Sequence, residues 1–115
     1  MKTFHIRYAD GSEADLPAFA AGLVPGLVIV RDDENGDYGR PYGIIHAESC
    51  GWLKPTFGHL KTAKAALLAV KDLAPWTGPK DGVFADRARV VPVREALEAA
   101  RRAEVAQYFP KAMWS

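Results

Sequence analysis

Three groups of residues could do chemistry in this chain. The first is Asp32-Asp33-Glu34-Asn35-Gly36-Asp37, a run of oxygen ligands that invites a calcium-loop reading. Setting Gly36 at the glycine of an EF-hand loop places Asp33 and Asn35 at ligand positions. It also puts Arg31 where the first Asp belongs and Tyr42 where the bidentate Glu belongs, so the two strongest ligands are missing. The run reads instead as a solvated hairpin tip, because Asn-Gly between two apolar runs suits a type I′ turn. The second group is His46, Glu48, Ser49 and Cys50, with His59 nine residues beyond the cysteine. Cysteine beside histidine can form a thiolate nucleophile. Nothing around Cys50 adds a catalytic signature, and a lone cysteine is more often a packed apolar residue. No catalytic residue, metal ligand or cofactor is expected. The glycines form neither GxGxxG before a helix nor GxxxxGK[ST], which leaves a phosphate loop unsupported.

The third group is aromatic and basic: Arg40, Tyr42, Trp52, Lys54, Phe57, Lys61 and Lys64. Cations interleaved with rings suit phosphate contact and base stacking, and equally an aromatic-anchored protein contact. Charge is unevenly spread. Residues 1–39 are net −4 and residues 40–71 net +4, inside a chain whose total is +1. The total excludes a uniformly charged surface but not a patch. Two partner-binding patches are therefore expected, the acidic tip (Asp32, Asp33, Glu34, Asp37) and the aromatic-basic segment.

The elements that must position these groups follow from periodicity. Thr3 to Tyr8 alternates apolar and polar, as a half-buried strand does. Ala9-Asp10-Gly11-Ser12 is a turn, and Asp15 to Gly22, with Pro17 near its start, is expected to make a short helical turn. Gly26 to Arg31 reads as a buried strand and Tyr42 to His46 as its hairpin partner. Cys50 to Gly58, rich in Gly, Pro and rings, is expected to be a loop. Thr62 caps a helix from Ala63 to about Ala74 that stops at Pro75. After a second loop, Trp76 to Asp86, a short strand at Arg89 to Val91 precedes a helix from Val93 to Phe109. The expected architecture is a single α+β domain over residues 1–115, a small antiparallel sheet of three to four strands packed against two helices.

The segment Tyr42-Gly43-Ile44-Ile45-His46 followed by Phe57-Gly58-His59-Leu60-Lys61-Thr62-Ala63-Lys64-Ala65-Ala66-Leu67 resembles the strand, loop and F-x-T-x-x-x-A helix that ends small actinobacterial and phage proteins. It is also similar to the close of the arm-type DNA-binding domain of tyrosine recombinases, a three-stranded sheet backed by one helix. The resemblance covers about thirty residues. It implies a phage or mobile-element protein that binds and modulates a host macromolecule, as an anti-defence or host-takeover inhibitor would. The alternative is a nucleic-acid-binding module using the sheet face with Arg40, Lys54, Lys61 and Lys64. The expected partner is a host protein or nucleic acid, not a membrane, in the cytoplasm. The strand Thr3 to Tyr8 or the last helix could pair with a second copy of the chain.

Overall fold

The computed structural model describes residues 2–8, 10–33, 40–77 and 87–108. Five strands form one antiparallel meander: β1 (Thr3–Arg7), β2 (Glu13–Phe19), β3 (Leu27–Arg31), β4 (Tyr42–His46) and β5 (Gly51–Phe57). Two helices follow, α1 (Leu60–Ala69) and α2 (Arg87–Tyr108). The protein is α+β, with five strands rather than three to four. The tip of the β3–β4 hairpin, Asn35-Gly36, lies outside the described residues. Its arms pair from Leu27 with His46 to Arg31 with Tyr42, as the apolar pattern requires.

Two corrections account for the added strands. The segment expected to be a helical turn is β2, whose Ala14, Leu16 and Ala18 alternate with Glu13, Asp15 and Pro17. The period is two, and it pairs Glu13 with Arg7 through Pro17 with Thr3. Pro17 fits there because the ladder continues past it through the Ala18 amide, which donates to the Lys2 carbonyl. The expected loop 50–58 contains β5, in which Leu53 and Phe57 reach the core despite Pro55 between them. Opposite β4, the register slips between the Ile44–Leu53 and Tyr42–Phe57 pairs, a bulge that absorbs the proline.

The helices also differ from expectation. α1 begins three residues before Ala63, with His59 rather than Thr62 at its N-cap, and it ends before Val70. Trp76 explains the early end. Its indole N–H donates to the Val70 carbonyl (2.9 Å), taking up a group that a longer helix would use. Arg89 to Val91 is not a strand but lies within α2, and Pro92 sits inside the helix. The β-branched pair Val90-Val91 is helical because Val93, Leu97 and Ala100 repeat at helical spacing and pack on the core, and that tertiary gain overrides propensity.

Both faces of the sheet are covered. On one, Leu27, Ile29, Ile44, Leu53 and Phe57 meet Ala63, Ala66 and Leu67 of α1, its C-cap Val70, and Val93 and Leu97 of α2. On the other, β1 and β2 fold over β3 to β5, so that Ile6 is fully buried among Val28, Val30 and Ile45, with Phe4, Leu16 and Trp52 around them. β2 makes this possible by pairing with β1 along its first five residues and with β3 only at Ala18 and Phe19. Across the open side, the Cys50 thiol approaches the His5 carbonyl of β1 (3.9 Å).

On the outer face of the β1–β2 hairpin, His5 bridges two carboxylates, Nδ1 to Asp15 (2.8 Å) and Nε2 to Glu13 (3.0 Å). Both nitrogens then donate, which favours the imidazolium. The hydrogen bonds to Glu13 and then Asp15 raise the His5 pKa above its ordinary 6.5, and the same bond to His5 lowers that of Glu13 below 4.5. The His5 contribution is complete below 6.5 and is lost as pH rises through the folded value; that of Glu13 is complete above 4.5 and is lost as pH falls through its folded value. The hairpin is therefore best held between those limits. An NMR titration of the His5 ring should show a midpoint above 6.5 that drops in Glu13→Gln. A midpoint at or below 6.5 in the parent protein would contradict the bridge.

Candidate protein-docking groove

The structure divides the residues expected to bind partners. Asp32, expected at an exposed acidic tip, is 3 % exposed, and its carboxylate accepts the Tyr8 hydroxyl (2.5 Å). It is a tie between the end of β1 and the end of β3, which removes it from any docking surface. Asp33 is exposed and pairs with Arg31 (3.2 Å). Glu34 and Asp37 lie outside the described residues.

The aromatic-basic segment is split as well. Phe57 is fully buried in the core and cannot meet a partner. Tyr42 packs edge-on to Phe19 (5.9 Å between centroids) and lies under the Arg31 guanidinium (5.5 Å). Arg40 is half-buried, bridging at the start of β4, and Lys61 and Lys64 stand on the solvent face of α1. Trp52 and Lys54 remain together, the ammonium 5.5 Å from the ring centroid.

Those two side chains form one wall of a groove that the chain order conceals. Among the described residues, its other lining is Leu53 and Trp76 with Val90, Val93, Arg94 and Leu97 of α2, around a volume of about 210 Å³. The floor is apolar, and Lys54 and Arg94, both exposed, supply the cations. The space exceeds the roughly 150 Å³ apolar cavity that suffices for a benzene ring. One large apolar side chain fits, with two cations beside it.

Trp76 is held in place by an unusual number of ties. Its ring is 3 % exposed. Its carbonyl accepts a hydrogen bond from Nε2 of the fully buried His46 (2.9 Å). With Nε2 donating, the Ser49 hydroxyl supplies the hydrogen to Nδ1 (2.7 Å), and the Ser49 oxygen accepts from the Gly51 amide (3.1 Å). Both ring nitrogens of His46 are engaged, and the Cys50 amide donates to the His46 carbonyl (2.8 Å), so this turn is tied to the Trp76 backbone.

Val93, Arg94 and Leu97 were legible as one helical face, but only the fold shows that Trp52 and Lys54 lie opposite. Glu104 is the residue that sequence reasoning passed over. It is 2 % exposed, and its carboxylate oxygens accept from the Gly58 amide (2.9 Å) and the His59 amide (3.2 Å), just before α1. α1 lacks a side-chain cap and acids in its first turn, so a residue of α2 supplies the negative charge its N-terminus favours. The signal was present: 93, 97, 100 and 104 recur at helical spacing, which puts Glu104 on the buried face.

Among the described residues, no group of three or more His, Cys, Asp and Glu side chains is placed to hold a metal ion, and no helix is long and apolar enough to cross a membrane. No family model, no curated protein and no solved structure matches this chain.

Proposed function

We propose that this chain is a non-enzymatic interaction protein whose β5–α2 groove anchors a large apolar side chain of a partner protein lying next to a carboxylate. The observation that carries this reading is the juxtaposition of Trp52, Trp76, Val93 and Leu97 around an apolar space with Lys54 and Arg94 as its cations. Interfaces draw most of their affinity from a few apolar or aromatic anchors seated in desolvated pockets, and charge at the rim sets orientation and encounter rate. The resemblance to small phage proteins makes a host protein the expected source of that anchor.

Selection from a random peptide library displays the preference directly. Enriched peptides should carry Phe, Leu, Met or Trp within two residues of Asp or Glu. Binding should fall at least tenfold in the Lys54→Glu, Arg94→Glu double variant, whose substitutions are on exposed positions. No enrichment, enrichment of basic peptides, or binding indifferent to the double reversal would each overturn the reading.

A further inference from the structure

The sheet face on which a recombinase-like module would read DNA is covered here by β1 and β2. The lysines of the basic segment consequently point elsewhere. α1 buries Ala63, Ala66 and Leu67 and exposes Lys61, Lys64, Ala65, Leu68 and Ala69; its C-cap Val70 is buried, and Lys71 is exposed in the turn that follows. At 3.6 residues per turn, Lys61 and Lys64 fall within an arc of about 60°, about 4.5 Å apart along the axis, and Lys71 stands in the turn beyond the helix end. Leu68 lies inside that arc, 45 % exposed, and the small residues Ala65 and Ala69 border it, so nothing bulky stands in front of the lysines. α1 itself contains no carboxylate. Asp72, next to Lys71, is the nearest acid in sequence, and Glu104 is turned inward to the start of α1. Among the described residues, Lys61, Lys64 and Lys71 have no ion-pair partner.

We propose that this group of lysines, on α1 and in the turn after it, is a contact surface for the phosphate backbone of double-stranded nucleic acid, separate from the β5–α2 groove. Exposed cations that continue from α1 into the turn after it, with small neighbours, suit a polyanion that spans both. The apolar face of α1 is already spent on the core, which leaves only Leu68 to insert into a lipid surface, far less than an interfacial helix presents. Contact through lysines to phosphates carries no base readout, so binding is independent of sequence.

The test measures affinity of the full chain for a short DNA duplex and an RNA duplex of equal length as salt is raised. Three phosphate contacts give a log–log slope of about −2.7, a fall of about 40-fold between 50 and 200 mM salt. In Lys61→Ala, Lys64→Ala the slope should shrink to about −0.9, and Lys61→Arg, Lys64→Arg should restore it. Binding of one duplex or both with these slopes supports the proposal and says whether DNA or RNA is preferred. It is overturned by no binding to either duplex at 50 mM salt, by a slope that the alanine pair leaves unchanged, or by binding to anionic phospholipid vesicles without binding to duplexes. The groove variant Lys54→Glu, Arg94→Glu serves as a second comparison, since it should retain the contribution of Lys61 and Lys64 to the slope.

Discussion

Gly26→Ala is expected to destabilise the protein by about 3–5 kcal/mol, a large part of the roughly 5–15 kcal/mol that holds a domain of this size together. Two effects add. Gly26 has φ +91°, a conformation that disfavours an L side chain by about 1–2 kcal/mol. A Cβ there would also stand 2.2 Å from the Trp76 carbonyl oxygen and 2.7 Å from the Thr77 nitrogen. These are backbone atoms, and that carbonyl is held by His46 while the Trp76 ring is buried and its indole is bonded to Val70. Moving it aside breaks the His46 bond and disturbs the groove wall; leaving it in place is sterically forbidden. Gly22→Ala separates the terms, because Gly22 has φ +99° but open space around its Cβ position. It should lose only about 1–2 kcal/mol. Urea unfolding at unchanged m-value reads both. Equal losses for the two variants would mean that Gly26 does not press against Trp76.

The second large effect is expected at Glu104. Removing its carboxylate in Glu104→Ala leaves the Gly58 and His59 amides without their acceptor and strips Arg101, whose side chain is 12 % exposed and whose Nη1 lies 3.5 Å from Oε1, of its counter-charge. That Nη1 makes no hydrogen bond, so its environment depends on the nearby negative charge. Breaking a buried pair from one side costs about 3–5 kcal/mol. Glu104→Gln should lose less, since an amide oxygen still accepts one of the two backbone bonds. Adding Arg101→Met to Glu104→Ala should recover the part due to the stranded cation but not the part due to the amides. Full recovery would show that the link to α1 contributes nothing, and no recovery that the charge pair does not.

Both positions show where local patterns stop being informative. Period-two alternation predicted β1, and the apolar runs on either side of Asn-Gly predicted the β3–β4 pairing, because each is a property of neighbouring residues. Proline hid β2 and β5: Pro17 and Pro55 lie in otherwise strand-like stretches, and their tolerance depends on which side of the ladder needs a donor. The helical face of α2 was legible from Val93 onward, yet its start was not, since Val90 and Val91 favour a strand until the core is there to receive the helix.

The candidate sites divide in the same way. Lys61 and Lys64 were legible as exposed cations because helical spacing alone turns them from the buried alanines and Leu67. Asp32 and Phe57 were assigned to surfaces by composition, and burial removed them from both. The groove combines residues 52–54, 76 and 90–97, segments brought together by α2 packing against β5. Amino-acid order by itself determined an α+β chain, the β3–β4 hairpin, two helices and a charge split between its first 39 residues and the next 32. Tertiary structure alone decided that β1 and β2 close the second face of the sheet, that Glu104 faces the start of α1, and that Trp52 and Arg94 share a groove. Strand and helix periods are set by bonds a few residues apart, whereas burial and charge pairing depend on contacts between segments distant in sequence.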